Sequence, residues 1–294
     1  MIFNPNHFKK KESVMSSMWK SLSIMMIASS LALAGSDSDV IQYVEKRLSK
    51  NPKVKINHVE IVDKLPIPGI KGWSAYMVDV DLNLTRGQET RQINFEDILF
   101  VSKHLITAEL VDRRTGRDLR SMIQPNMPDD IYDASHLLYG NPNAEHKLVL
   151  FSDPLCPFCR MYVPELLEAV KKNPDQMVLY YYHLPLVTIH PASQTLVRIM
   201  EVAQKEGKNE IIDKMYTIKI DPRLKDEKKI LQIVSEKIGY TLSPEQIHQP
   251  WIDEKLKKDH AMSRRLLVTG TPTIFVDGKK DITRDKYKQF MKKK

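Results

Sequence analysis

The sequence predicts an α/β chain in two parts: a small α+β unit of alternating strands, then a larger α/β segment built around a strand–helix junction. Three observations carry this. Apolar residues alternate with polar ones through the first part, as in Tyr76, Val78, Val80, Leu82 and Leu84, which is the period of a half-buried strand. A short apolar run, Lys147–Phe151, leads into the only two cysteines, Cys156 and Cys159, and a helical pattern follows them. Helical patterns then fill residues 190–265 before one more apolar strand at 273–276.

In chain order, residues 1–34 combine Lys9, Lys10, Lys11 and Lys20 with the apolar run Leu22–Ala34 and a small-residue site at Ala32-Leu33-Ala34. This is the pattern of a cleaved signal peptide, and the run is shorter than the ~20 apolar residues of a membrane anchor. No cysteine follows it, so lipidation is not indicated. The mature chain is expected to begin near Gly35 and to work in an oxidising compartment.

Asp37–Lys50 places Val40, Ile41, Val44 and Leu48 on one helical face and stops at Asn51-Pro52. Strands are expected over Val54–Val62, Ala75–Leu84, Thr90–Phe95 and Leu105–Val111, with a turn at Arg86-Gly87. Residues 35–124 thus form the first domain. The first domain ends in the run Gln124-Pro-Asn-Met-Pro-Asp-Asp130, and residues 125–143 read as a linker with a short helix over Asp130–Tyr139. The second domain spans 144–294. Its strands are Lys147–Phe151 and Met177–His183, and its helices Pro191–Glu206, Asn209–Ile218, Asp226–Ile238 and Ser243–Leu266. A strand and hairpin turn over Gly270–Gly278 and a C-terminal helix close it.

The formal net charge is +8, and residues 1–34, with four lysines and Glu12, account for +3 of it. Lys279–Lys294 carries eight Lys/Arg against Asp281 and Asp285, so the excess is a C-terminal tail, read as solvated in preference to a docking patch. No nucleic-acid motif is present. With 42% hydrophobic residues, the mature length supports two cores.

The chemistry lies in Cys156-Pro157-Phe158-Cys159. A zinc site would need two more ligands, and none of the nine histidines supplies an H-x3-5-H pair. A structural disulfide closing so short a loop removes little unfolded-state entropy. Thiol–disulfide exchange is the favoured chemistry, with no metal and no cofactor. Pro157 suits the first helical turn, which places Cys156 where unpaired N–H groups and the helix dipole favour a thiolate.

Cys156-Pro-Phe-Cys159, the helix proline Pro164 and the loop Gly270-Thr271-Pro272-Thr273 together resemble the secreted thioredoxin-fold Dsb proteins. The run Phe151–Cys159 is most similar to DsbG and DsbC, and the helical stretch of about 190–265 resembles the insertion of DsbA. The resemblance implies a thioredoxin fold with helical insertion, preceded by a small α+β (cystatin-like) dimerisation domain. It implies that Cys156 attacks, that Cys159 resolves, and that Thr271 and cis-Pro272 face the disulfide and pair with an extended client segment. It further implies a periplasmic homodimer acting on exported cysteine-containing proteins, with a membrane redox partner of the DsbB or DsbD type. The chain would form or isomerise disulfides. A chaperone with secondary redox activity and a dedicated thiol reductant are the alternatives. One position departs from the pattern: where thioredoxin and DsbA keep a buried acid, six residues before the first cysteine, stands Leu150. Asp153 and Glu165 are then the candidates to serve Cys159. Pro157-Phe158 also lacks the histidine of DsbA-like sites, and a moderately oxidising potential is expected.

Overall fold

The computed structural model describes residues 36–292. The expected signal peptide over 1–34 and the start near Gly35 lie outside the described residues. Among the described residues the chain divides into two compact units, residues 36–123 and 124–292.

In the first unit, Ser36 caps α1 (Asp37–Leu48) in a reciprocal arrangement with Asp39, and Val40 and Val44 are its buried positions. The strands β1 (Val54–Pro66), β2 (Trp73–Arg86), β3 (Glu89–Ser102) and β4 (Ile106–Thr107) form an antiparallel sheet in chain order. β1 carries register shifts at Ile56/His58 and Ile61/Asp63. Period-two alternation sends Tyr76, Val78, Val80, Leu82, Leu99 and Val101 into one core with Val40 and Val44. The expected strand over Leu105–Val111 is broken. Only β4 joins the sheet, and β5 (Val111–Asp112) pairs instead with β6 (Arg117–Asp118). The Arg120 guanidinium anchors this irregular return, donating to Asp97 at 2.6 Å and to the carbonyls of Ile98 and Ala108.

The second unit begins at Gln124, so the segment expected as a linker over 125–143 is grouped with it. In place of a short helix there are 3-10 turns at Asp129–Tyr132 and Ala134–His136, then β7 (Leu137–Tyr139). Asp133 accepts from Ser135 N–H and fixes the second turn. Ile131 and Leu138 are buried, and β7 forms an edge of the main sheet. The proline-rich composition conceals a packed segment.

β8 (His146–Ser152), α2 (Pro157–Lys172) and β9 (Met177–His183) follow; β8 and β9 are parallel neighbours. Next come α3 (Ala192–Lys205), α4 (Asn209–Met215), α5 (Glu227–Ile238), α6 (Pro244–Ile247) and α7 (Pro250–Arg265). The last two were expected as one helix. Pro250 has no N–H to continue α6 and disfavours helical backbone at Gln249, which adopts an extended ψ of 137°. The chain closes with β10 (Thr273–Val276) and β11 (Lys279–Lys280), giving the sheet order β11-β10-β8-β9-β7. The expected C-terminal helix is a 3-10 turn, Lys286–Phe290, whose Tyr287 is buried. The basic end is therefore docked in part, not wholly solvated.

This sheet is buried on both faces. Leu148, Leu150, Leu179, Tyr181, Ile274 and Val276 join one cluster with α2 and the helices of residues 192–252. The intervening Val149, Phe151, Val178, Tyr180, Tyr182 and Phe275 join a second with Ile131, Leu266 and Val268. Such two-sided burial produces the continuous apolar strands seen in the sequence.

Candidate active site

Chain continuity and strand pairing assemble the site. β8 ends at Ser152, the turn Asp153–Leu155 follows, and Cys156 is the N-cap of α2 with Pro157 in its first turn. β10 pairs with β8 so that Thr273 faces Phe151, which brings the preceding Thr271-Pro272 loop beside the cysteines. The Thr271–Pro272 peptide bond is cis. The Cys156 thiol reaches the Thr271 carbonyl oxygen at 3.4 Å.

Both cysteines are free thiols and both are buried. The Cys159 thiol donates to the Cys156 sulfur. Together with the Thr271 side chain and the N–H groups of Cys159 and Phe158, it lowers the Cys156 pKa to about 5 against the opposing effect of burial. Cys159 behaves oppositely. Burial and its hydrogen bond to Cys156 push its pKa far up, while the Asp153 N–H and the side chains of Ser152 and Thr271 oppose the rise. One thiol is thus biased toward the thiolate at neutral pH and the other toward its protonated form. Phe158, between them, is 61% exposed, and Met161, Val187 and Ile189 add exposed apolar surface in the same unit.

Of the two carboxylates considered for Cys159, neither is available. Asp153 is fully buried, and its oxygens accept from Leu155 N–H (2.7 Å), Leu186 N–H (2.8 Å), His190 Nδ1 (3.0 Å) and Ser193 Oγ (2.6 Å). It ties the turn before Cys156 to the loop after β9 and the start of α3. Glu165 is largely exposed and faces Lys288 at 3.3 Å. Leu150 is fully buried within the apolar core.

Sequence reasoning missed three polar side chains below Cys159. Tyr216 donates to Ser152 Oγ at 2.7 Å, and its own oxygen pairs with the Tyr181 hydroxyl. All three are essentially inaccessible to solvent. Ser152 stands four residues before Cys156 and could have been noticed; the tyrosines lie in separate elements, and only the fold brings them there.

The family model described as thioredoxin matches residues 133–293. The chain belongs to the thioredoxin family. Among curated relatives, it is 27% identical over 154 residues to a probable disulfide bond formation protein D of Bacillus anthracis, covering 47% of this chain and 68% of that one. It is 25% identical over 142 residues to Na(+)/H(+) antiporter NhaA 1 of Mycolicibacterium gilvum, where the match covers 48% of this chain but 23% of the antiporter. Similar solved structures include a thioredoxin-like oxidoreductase from Silicibacter pomeroyi DSS-3 (21% identity, 56% of this chain, 95% of that chain, TM-score 0.46). Another is oxidised BdbD from Bacillus subtilis (15% identity, 56% of this chain, 92% of that chain, TM-score 0.45). The thioredoxin match covers both cysteines, Thr271 and Pro272; residues before 133 lie outside it.

Proposed function

We propose that this chain is an exported thiol:disulfide oxidoreductase in which Cys156 is the attacking and Cys159 the resolving cysteine. The observation that carries this reading is the opposite tuning of two adjacent buried sulfurs, Cys156 lowered to about 5 and Cys159 raised. In the reducing direction, the Cys156 thiolate attacks a client disulfide, one client sulfur departs as thiolate, and a mixed disulfide forms. Cys159 then attacks the Cys156 sulfur, releasing the second client thiolate and leaving the Cys156–Cys159 disulfide. Disulfide donation is the same sequence reversed.

Thiolate stabilisation at Cys156 favours the dithiol form and so makes the disulfide more oxidising. The Cys156 thiol is lowered by its donors, which is the direction of an oxidising CxxC site. The favoured role is therefore donation of disulfides to exported cysteine-containing proteins at a moderately oxidising potential. A membrane partner of the DsbB type would then reoxidise Cys156–Cys159. Residues 1–34 support export to the periplasm. The first unit, with its own sheet, helix and core, is proposed as a dimerisation module. Isomerisation with a DsbD-type reductant, which a dimer built on the first unit would suit, is the second reading, and the redox state of the pair in cells decides between the two.

The test is oxidation of reduced, unfolded ribonuclease in a glutathione buffer, paired with thiol trapping of the protein in cells. The reading requires that Cys156→Ser abolish turnover and that the trapped pair be mainly oxidised. Unaltered turnover in Cys156→Ser would overturn it, and a mainly reduced pair would move the role to isomerase.

A further inference from the structure

Three chain segments meet at the end of the sheet that carries the cysteines. β8 lies between β10 and β9. β9 runs parallel to it and β10 antiparallel, so the turn into α2, the loop after β9 and the Thr271-Pro272 loop before β10 emerge at one edge. The loop after β9, residues 184–190, therefore flanks the Cys156 turn on the side opposite Thr271-Pro272. Val187 and Ile189 at its tip are exposed, at 44% and 58%. Phe158, between the cysteines, is exposed as well, so apolar surface gathers around the attacking sulfur.

One side chain ties that loop to the turn. Asp153 Oδ1 accepts from Leu155 N–H at 2.7 Å and Ser193 Oγ at 2.6 Å, while Oδ2 accepts from Leu186 N–H at 2.8 Å and His190 Nδ1 at 3.0 Å. The backbone carbonyl of the same residue takes the Cys156 N–H at 3.2 Å. Asp153 thus holds the attacking cysteine through its main chain and the middle of the loop through its carboxylate. Hydrogen bonds to a buried charged acceptor are the strong kind. The bonds from Val187 N–H to the Pro185 carbonyl, and from Ile189 and His190 N–H to the Leu186 carbonyl, are internal to the loop. They shape the tip without locating it. Leu184 N–H, donating to the Ser152 carbonyl at 2.9 Å, locates its first residue.

We propose that Asp153 is a positioning residue for client recognition: it sets Val187 and Ile189 at a fixed place beside Cys156, so that the chain prefers cysteine-containing clients with an apolar residue next to the cysteine. This rests on the reading of the chain as an oxidoreductase in which Cys156 attacks. A client whose cysteine reaches Cys156 lays its flanking residues across the same edge, where the held tip buries an apolar side chain. Ordering the loop in advance removes that cost from binding. The Asp153 carboxylate acts through the two segments it joins.

The experiment uses the full chain with glutathione disulfide as oxidant and two reduced dicysteine peptides, identical except that leucine flanks each cysteine in one and serine in the other. Oxidation above the uncatalysed rate is followed by chromatography. The wild type should oxidise the leucine peptide with a kcat/KM about 10-fold above that of the serine peptide, the difference lying in KM. In Asp153→Asn the amide nitrogen faces the N–H of either Leu155 or Leu186 and cannot accept from it, so the link is cut at one end or the other. The ratio of the two peptides should then fall toward unity. Val187→Ser combined with Ile189→Ser, both at exposed positions, should lower the ratio in the same way, and adding Asp153→Asn to that pair should change it no further. A purely structural role would slow both peptides alike. Equal kcat/KM for the two peptides in the wild type, or the wild-type ratio retained in Asp153→Asn, overturns the inference. Oxidation of neither peptide by the wild type, or undiminished oxidation by Cys156→Ser, overturns the oxidoreductase reading and the inference with it.

Discussion

At Cys156 a buried position, which by itself would raise a thiol pKa, is outweighed by donors converging on the sulfur, the Cys159 thiol first among them. Iodoacetamide should therefore modify Cys156 with a midpoint near pH 5, whereas Cys159 should resist until the protein is denatured, as peptide mapping would show. Equal reactivity of the two in the folded dithiol would remove the assignment of roles. A stability effect follows from the same shift. The folded-state pKa lies below the unfolded value of ~8.5, so the dithiol gains stability as pH rises from about 5 toward 8.5 and loses it as pH falls back through that window. Urea midpoints of the dithiol minus those of the disulfide form should increase from pH 5 to pH 8; a difference flat with pH contradicts the tuning. Asp153 makes the other residue-scale prediction. Asp153→Ala leaves two backbone N–H groups, Ser193 and His190 without their acceptor and should cost about 3–5 kcal/mol in urea unfolding; Asp153→Asn, which keeps the shape, should cost less.

Between elements, the main sheet is closed at its β7 edge by a close backbone approach. Gly140 follows β7 with φ +93°, and a Cβ there would lie 2.2 Å from the Met177 carbonyl oxygen and 2.8 Å from Val178 Cα at the start of β9. Gly140→Ala should therefore destabilise by about 2–4 kcal/mol. Gly207→Ala, also at positive φ but with open space around it, should cost about 1 kcal/mol. Similar costs for the two in parallel urea titrations would show that the β7–β9 approach is not the constraint. The attachment of α7 depends on one buried carboxylate: Asp259 accepts from His183 N–H at 2.8 Å and His136 Nε2 at 2.7 Å, joining the helix to β9 and to the turn before β7. Such links explain what could be read in advance. The two strands flanking the cysteine helix and the helices α3 and α5 followed from local periodicity. The segment 125–143 did not, because its burial comes from β9, about forty residues away, and not from any pattern of its own. The break at Pro250 was legible in principle, since the proline rule applies within one turn. The site divides the same way: Cys156 and Cys159 announce themselves by spacing, and Pro272 by its local run, whereas Tyr181 and Tyr216 reach Ser152 only through the packing of β9 and α4.

For the whole molecule, the redox site and its cores lie within residues 124–294, while the α1–β4 core lies within 36–123. A fragment beginning at Gln124 should fold and retain thiol:disulfide turnover, and sedimentation should show it as a monomer and the full chain as the dimer that the proposed module requires. A dimeric fragment would move the proposed interface out of the first unit. The central claim, that one sulfur attacks and the other releases, is tested most directly by covalent trapping. Exported Cys159→Ala protein, acid-quenched and alkylated, should run on non-reducing gels as adducts with client proteins, and mass spectrometry should place each client sulfur on Cys156. Cys156→Ala should give none. Adducts of equal yield on either cysteine, or their absence from Cys159→Ala, would contradict the account.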